Sequence, residues 1–326
     1  MNTFRFLPSY LLKLSPGVQV LLLEMGMKSL NNIARQCRVV RPDVGAVTNV
    51  GEAHAGSLGG LNRIVMAKQE LIDGLKNGAT LYLNADCSRS KKLSTRNFHG
   101  TVYKFGIDSP SDIQATNIRY TPRGMTFEAN IAGKQGTFFI PTWGEHNVYN
   151  AMAAIGIARS LGISIPRIQK GLERARLPRM RLQQIRGTNR RILINDAWNA
   201  NPSAMKAGLS VLRDLSGKRK AIAVLGDMKE LGKYTREAHR EIGRFVARIN
   251  LHQLITYGYY AKEIGRTAIS HGMSPQRVIH FTSRESLIRH LKNSPSGSMI
   301  YFKASRKFKF EKIVNTLTAR SAQNNK

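Results

Sequence analysis

Short apolar runs that end abruptly in polar loops constrain the fold of this chain more than any other feature. Two of them, RRILI and AIAVL, are followed by the polar loops Asn195–Pro202 and Gly226–Gly232. Each run is rich in aliphatic residues and has the length of a buried strand. Apolar strands that alternate with helices predict a parallel sheet covered on both faces. Such sheets bind ligands at the carboxyl ends of their strands, where both polar loops lie.

The same alternation runs through both halves of the chain. The first half is predicted to contain strands at 18–23, 44–50 and 80–83, helices at 29–38, 61–75 and 146–161, and antiparallel hairpins between 113 and 140. The second half is predicted to contain strands at 191–195, 221–225, 253–257, 278–281 and 298–303, with helices at 203–215, 236–249, 260–271, 284–292 and 308–318. Pro178 breaks the pattern between the halves. We therefore predict two α/β domains, 1–178 and 179–326, the second of them Rossmann-like.

Length and cysteine content narrow the class of protein. With 326 residues and 42% hydrophobic side chains, the chain is long enough to bury ordinary cores. The apolar clusters near the N-terminus are interrupted by prolines and charges, so neither a signal peptide nor a membrane span is expected. Cys37 and Cys87 lie far apart without a partner at metal-ligand spacing, which argues against a disulfide framework and a zinc site. A cytoplasmic location is expected.

The charge balance is strongly basic. Lys and Arg total 51 against 20 Asp and Glu, for a formal net charge of +31. Such a field favours acidic partners such as nucleotides, phosphorylated substrates, nucleic acid or anionic lipid. No nucleic-acid recognition motif or array of stacking aromatics accompanies the charge, so nucleic acid is not favoured as a partner. A solvated basic surface on an enzyme is the preferred interpretation.

Three side chains near expected strand ends suggest a cation site. Glu24 closes the first apolar run, His54 follows the second, and Lys68 lies on the helix after it. A carboxylate and an imidazole at adjacent strand ends can hold a hard divalent cation beside a phosphate. Each residue alone is weak evidence, because a lone loop histidine is more often structural and a lone helical lysine more often a solvated charge.

Eight motifs, taken together, carry a resemblance to a known family. In chain order they are EMGM at 24–27, TNVGEAH at 48–54, AKQE at 67–70, NAD at 84–86, GEHNVYNAMAA at 144–154, NDAWNANPSAM at 195–205, GDMKELG at 226–232 and KAS at 303–305. Their order and spacing resemble those of the Mur ligases, and most closely the branch that adds D-alanyl-D-alanine to UDP-N-acetylmuramoyl-tripeptide. The resemblance implies a central ATPase-type domain with a mostly parallel sheet and an antiparallel edge, followed by a Rossmann-like C-terminal domain.

The resemblance also implies a reaction of peptidoglycan precursor synthesis. In these ligases the peptide carboxylate of the UDP-sugar attacks the γ-phosphate of ATP, and the incoming amine then attacks the resulting acyl phosphate. Two Mg²⁺ ions and a carbamylated lysine organise the step. Matched motif by motif, the resemblance implies that the metal ligands are Glu24, His54 and Lys68, with Lys68 as the candidate carbamate. It implies that the nucleotide is bound by Asn147, Asn150, Arg181, Asp196 and Asn199, and that catalysis involves Lys68, Arg181 and Asp196. The residues implied to face the substrate are Asn201, Lys303 and Ser305.

One departure from the family pattern concerns the phosphates of ATP. The sequence contains no GxxxxGK[ST] loop, whose amides and lysine bind the β- and γ-phosphates in the family. We therefore expect a truncated ligase that lacks the N-terminal domain and is impaired by itself, and a separate polypeptide is a possible source of the missing segment. The alternative is a non-catalytic binding protein for an acidic ligand, built from a decayed ligase.

Overall fold

The computed structural model describes residues 4–52, 55–131 and 133–319. The chain folds into two units. The first comprises residues up to 119, 126–140 and 146–174, and the second comprises 120–125, 141–145 and 175 onward. The proposed boundary between residues 178 and 179 stays a prediction. Within the described ranges no helix is long and apolar enough to cross a membrane.

The first half of the chain contains one mixed sheet and the helices around it. The strands are β1 Val44–Val47, β2 Thr80–Asn84, β3 Thr101–Gly106, β4 Ile113–Thr121, β5 Gly124–Ile131 and β6 Lys134–Ile140. The helices are α1 Leu7–Leu11, α2 Asn32–Val40, α3 Ala55–Leu58, α4 Leu61–Asp73, α5 Glu145–Ser160 and α6 Ile165–Glu173. The strands lie side by side in chain order, and β1 to β4 are parallel. The short connections between β4, β5 and β6 agree with the expected hairpins.

The strand predicted at 18–23 is wrong. These residues form no strand, and Val20 and Leu22 are 58% and 83% exposed. In the described part of the sheet β1 is the edge strand, and nothing pairs with its outer side. An apolar run becomes a buried strand only when neighbours satisfy its backbone groups and cover its side chains. Here those neighbours are absent from the described residues, so the run stays irregular.

The second half of the chain contains a doubly wound sheet. Its strands are β7 Gln183–Arg186, β8 Ile192–Asn195, β9 Ala221–Gly226, β10 Gln253–Tyr257, β11 Val278–Phe281 and β12 Met299–Lys303. Its helices are α7 Pro202–Ser216, α8 Thr235–Ala247, α9 Lys262–Ser270, α10 Arg284–Lys292 and α11 Phe310–Leu317. The order is β11-β10-β9-β12-β8-β7, with every neighbouring pair parallel except β7 and β8. Strand β7 was not foreseen, because its sequence, QQIR, lacks an apolar run.

Helices cover both faces of this second sheet. Along β12, Ile300 and Phe302 point into a core shared with α10 and α11, while Tyr301 points to the opposite face against α7. All three side chains are fully buried. Burial on both faces explains why these strands read as continuous apolar runs rather than alternating ones. The parallel pairing of β12 with β8 and β9 brings the carboxyl ends of these three strands together at one edge.

Candidate functional site

Lys68 is partly buried within the first unit. It projects from α4, and burial lowers the pKa of its ammonium group, an effect that the charges of Cys87 and Glu24 oppose. Both neighbours lie far from Lys68 in sequence, so the fold brings Glu24 and Cys87 within electrostatic range of Lys68. A lysine whose pKa is lowered by desolvation holds a larger fraction of neutral, nucleophilic amine than a solvated lysine.

The predicted metal ligands are only partly placed by the structure. Glu24 is exposed on an irregular segment, so the expectation that it ends a buried strand is wrong. His54 lies outside the described residues. Among the residues that are described, no cluster of three or more His, Cys, Asp or Glu side chains could hold a metal ion. The metal role of Glu24, His54 and Lys68 therefore stays a prediction, although Glu24 and Lys68 are within electrostatic range.

Asp86, two residues after the end of β2, organises the loop between β3 and β4. Its carboxylate accepts hydrogen bonds from the backbone N–H groups of Ile107 at 2.6 Å, Asp108 at 3.1 Å and Ser109 at 2.7 Å. The hydroxyl of Tyr149 on α5 donates a fourth at 2.7 Å. Burial alone raises the pKa of Asp86, but these hydrogen bonds outweigh it and hold the pKa well below its usual range. Asp86 therefore acts as a structural clamp.

We expect Asp86 to contribute to stability at neutral pH and to lose that contribution in acid. Its pKa is lower in the folded chain than in the unfolded chain, so the contribution is complete above pH ~4, the unfolded value, and declines as the pH falls toward the folded value. Urea unfolding measured from pH 7 to pH 3 tests this expectation. Asp86→Asn should lower the free energy of unfolding at pH 7, and that free energy should then fall less steeply as the pH decreases than it does in the parent chain. Asp73→Asn is the control, because it removes the carboxylate of an exposed residue on α4. An unchanged pH profile in Asp86→Asn would contradict the clamp.

Asn147 and Asn150 share one face of α5. The amide nitrogen of Asn150 lies 3.4 Å from the amide oxygen of Asn147, and Asn147 in turn contacts the His146 ring at 3.2 Å. Asn147 is buried, whereas Asn150 is exposed. The spacing of three residues places both amides on the same side of the helix. The two residues predicted to lie near the adenine thus form a pair, and their nucleotide role stays a prediction.

A buried ion pair joins the carboxyl ends of β8 and β12. The ammonium of Lys303 lies 2.5 Å from the Asp196 carboxylate, and the hydroxyl of Tyr301 donates to the same oxygen at 2.8 Å. The backbone N–H of Leu182 donates to the other Asp196 oxygen at 3.2 Å. The side chains of Lys303 and Asp196 are 4% and 12% exposed. Burial, together with the charge of Asp196 and the bond to it, raises the pKa of Tyr301, which keeps its hydroxyl protonated as a donor.

Ser305 connects the carboxyl end of β12 to the loop that follows β9 through hydrogen bonds. Its hydroxyl accepts a hydrogen bond from the Lys229 N–H at 2.8 Å, and its N–H donates to the Asp227 carbonyl at 3.0 Å. The Asp227 carboxylate accepts from the N–H groups of Tyr260 and Ala261 at 3.0 and 2.7 Å, just before α9. These bonds hold the strand-end loops of β9, β10 and β12 as one unit.

The remaining predicted residues differ in exposure. Arg181 is exposed and lies between Met180 and Leu182, whose φ angles of 63° and 46° are strained for residues with a side chain. Asn199 is also exposed, and its side-chain oxygen accepts from the Ala200 N–H at 2.8 Å. The oxygen of Asn201 accepts from the Ala204 N–H at 2.9 Å and caps α7. Asn201 thus has a structural role, and the ligand roles of all three stay predictions.

Comparison with known proteins identifies the family. The Mur ligase middle domain matches residues 3–158, and the glutamate ligase domain of Mur ligases matches residues 180–306. A UDP-N-acetylmuramoyl-tripeptide--D-alanyl-D-alanine ligase from Bacillus subtilis is 35% identical over 95% of this chain and 67% of its own length. The chain belongs to the Mur ligase family. The resemblance read from the motifs is confirmed.

Comparisons with other Mur ligases give the same fold and a similar extent of match. The ligase of the same name from Haemophilus influenzae is 30% identical over 95% of this chain and 66% of its own length. A crystal structure of MurF from Acinetobacter baumannii superposes with a TM-score of 0.87 at 27% identity, covering 96% of this chain and 68% of that one. The MurF ligase of Thermotoga maritima, solved in complex with ADP, has a TM-score of 0.82 at 24% identity. This chain spans about two thirds of the length of the Bacillus subtilis, Haemophilus influenzae and Acinetobacter baumannii proteins.

Sequence reasoning missed several residues that position the loops and strands carrying the predicted site residues. Tyr301 shares Asp196 with Lys303, yet it reads only as part of an apolar strand. Glu70 bonds the N–H groups of Asn31, Ile33 and Ala34 and so caps α2 from α4. His239 accepts from the Met228 N–H at 3.0 Å, while its other ring nitrogen lies 2.6 Å from the Thr235 carbonyl. The contacts of Tyr301 with Asp196, Glu70 with Asn31 and His239 with Met228 join residues too far apart in the chain for a local pattern to reveal them.

Proposed function

We propose that this Mur ligase forms the central and C-terminal parts of an ATP-dependent enzyme that adds D-alanyl-D-alanine to UDP-N-acetylmuramoyl-tripeptide. The substrates are those in the names of the relatives from Bacillus subtilis and Haemophilus influenzae. A structural neighbour was solved with ADP, which supports ATP as the co-substrate. We place the reaction in the cytoplasm, where peptidoglycan precursors carrying UDP are made.

The environment of Lys68 is the observation that carries the proposal. Its pKa is lowered by burial, so the neutral amine needed to react with CO₂ is more accessible. The amine nitrogen bonds to the carbon of CO₂ and releases a proton, which leaves a carbamate anion. This converts a cation into an oxygen donor that suits Mg²⁺. Glu24 and His54 would complete the set of ligands, and bound Mg²⁺ would supply positive charge beside the phosphates of ATP.

The second unit supplies a preorganised polar edge. Asp196 holds the ammonium of Lys303 in a fixed position, and Ser305 fixes the neighbouring loop. We propose that Arg181 and Asn199, both exposed, contact the nucleotide, and that Lys303 stabilises negative charge at the reacting groups. A fixed ammonium costs little reorganisation when charge develops, which is the physical basis of electrostatic catalysis.

The phosphate-binding loop is proposed to come from a polypeptide segment outside this sequence, either in the same longer protein or in a separate chain. Three features support this. The sequence has no GxxxxGK[ST] loop, the chain covers about two thirds of its relatives, and the described sheet has an unpaired β1 edge while the apolar run at 18–22 is exposed. An inserted parallel strand would satisfy the backbone groups of the β1 edge.

The experiment joins this chain to the first third of the Bacillus subtilis relative and measures phosphate release from ATP with UDP-N-acetylmuramoyl-tripeptide and D-alanyl-D-alanine. We expect turnover that depends on both substrates, and a loss of about a hundredfold or more in Lys68→Ala. Added bicarbonate should raise the activity of the parent protein. Lys76→Ala is the matched control, because Lys76 forms only an exposed ion pair with Asp43.

The outcomes distinguish a ligase from a non-catalytic binding protein. Turnover that survives Lys68→Ala would contradict the carbamate role. If the fusion binds Mg-ATP in calorimetry but never releases phosphate with both substrates present, the chain is a binding protein rather than a ligase. The isolated chain should show neither turnover nor tight nucleotide binding, since its sequence contains no GxxxxGK[ST] loop to bind the β- and γ-phosphates.

A further inference from the structure

Three arginines converge on one buried carboxylate in the second unit. Arg236 and Arg240 lie one turn apart on α8, and Arg266 lies on α9. Their guanidinium nitrogens are 3.9, 3.6 and 3.6 Å from the oxygens of Glu263. The Glu263 side chain is only 9% exposed, while the arginine side chains are 59%, 47% and 70% exposed. The carboxylate therefore lies beneath a layer of solvent-accessible guanidinium groups.

The cluster has more positive charge than its carboxylate can neutralise. Three guanidinium groups and one carboxylate leave an excess of two positive charges. All three distances exceed the length of a good hydrogen bond, so the contacts with Glu263 do not fully satisfy the guanidinium donors. Each carries five N–H donors in a planar fork. The donors that the cluster offers to solvent are thus numerous and close together.

The position of the cluster in the fold adds to its affinity for anions. Arg236 and Glu263 lie in the first turns of α8 and α9, and Arg240 and Arg266 lie one turn further along. Both helices follow strands of a parallel sheet, so their N-termini lie at the carboxyl edge of that sheet, where ligands bind in open α/β folds. Helix N-termini carry partial positive charge.

We propose that Arg236, Arg240 and Arg266 form a binding site for a dianionic phosphate group, with Glu263 holding the three guanidinium forks in place. A phosphate dianion matches the excess of two charges, and its tetrahedral oxygens can accept from several forks at once, which a planar carboxylate does less well. The site involves none of the residues assigned to the ligase reaction. It also accounts for part of the positive charge that the reaction leaves unexplained.

Binding of inorganic phosphate to the full chain tests the proposal. Calorimetry and thermal unfolding are run at constant ionic strength, with chloride replacing phosphate in the reference. We expect saturable phosphate binding and a rise in Tm with phosphate concentration. Arg240→Gln and Arg266→Gln should each weaken binding about tenfold, the effect of losing one charge-assisted hydrogen bond. Arg248→Gln is the control, since it removes the same charge from the exposed end of α8.

Each outcome bears on the proposal. Phosphate binding that weakens in the two cluster variants but not in Arg248→Gln supports it. Equal weakening in all three variants, or no effect of phosphate beyond chloride, overturns it. Glycerol phosphate distinguishes the source of the group: binding equal to that of inorganic phosphate indicates a phosphorylated small molecule, and binding of inorganic phosphate alone indicates the free ion. Because the assay needs no turnover, its result does not depend on the ligase proposal.

Discussion

Asp196→Ala should lower the free energy of unfolding by about 3–5 kcal/mol, the range for breaking a buried ion pair from one side. The change leaves the Lys303 ammonium buried without its carboxylate, and it removes the acceptor of the Tyr301 hydroxyl and the Leu182 N–H. An unpaired buried charge costs far more than the pair contributes. Urea unfolding at pH 7, followed by tryptophan fluorescence and circular dichroism, measures the change.

Two further variants test the cause of that loss. Glu237→Ala removes a carboxylate from a pair with Arg244 that lies at the surface of the same unit, so its unfolding midpoint should hardly move. Asp196→Leu combined with Lys303→Met removes both charges and should recover much of the stability lost in Asp196→Ala. If the double variant is as unstable as the sum of its single changes, the loss does not come from an unpaired charge.

Gly208→Ala should destabilise the second unit, although the same substitution in an open helix position stabilises. A Cβ atom at position 208 would overlap the hydroxyl and ring of Tyr301, which is fully buried and bonded to Asp196. Overpacking of this kind costs about 1–3 kcal/mol, and displacing the Tyr301 hydroxyl adds the cost of a lost buried hydrogen bond. The net loss of unfolding free energy exceeds the ~1 kcal/mol that alanine gains over glycine in a helix.

Gly171→Ala is the matched control for Gly208→Ala. Position 171 lies in α6, and a Cβ atom there would meet no other atom within 4 Å. We expect Gly171→Ala to raise the unfolding midpoint slightly, while Gly208→Ala lowers it and changes the near-ultraviolet circular dichroism of the buried tyrosine. If both variants gain stability, Tyr301 can move without cost, and the close approach of α7 to β12 has no energetic consequence.

The elements of the second unit were largely predictable from sequence. Strands β9 to β12 begin and end within one residue of the predicted bounds, because each is a continuous apolar run between polar loops. Strand β7 was missed, because an edge strand with polar side chains has no such signature. The opposite error occurred at 18–23, where an apolar run of strand length forms no strand. An apolar run specifies what a segment can become, and hydrogen-bonding neighbours decide whether it does.

The candidate site, like the strands, was only partly predictable from sequence. Motif order predicts functional roles for Lys68, Asp196 and Lys303 without any coordinates, and those roles stay predictions. It could not show that Asp196 and Lys303, 107 positions apart, form a pair that Tyr301 completes. Nor could it show that Asp86 clamps a loop or that three arginines share Glu263. Partners at such separations are selected by strand order and helix packing, which local patterns do not encode.

By itself, the sequence determined the α/β class, the Mur ligase family and the chemical types of the residues at the strand ends. These depend on the lengths of apolar runs and on motif spacing, which are local properties of the chain. Only the tertiary structure decided which charges are buried, which are paired and which apolar run lacks a strand to pair with. Those properties depend on desolvation and on contacts between segments far apart in the chain, and both arise only when the chain packs.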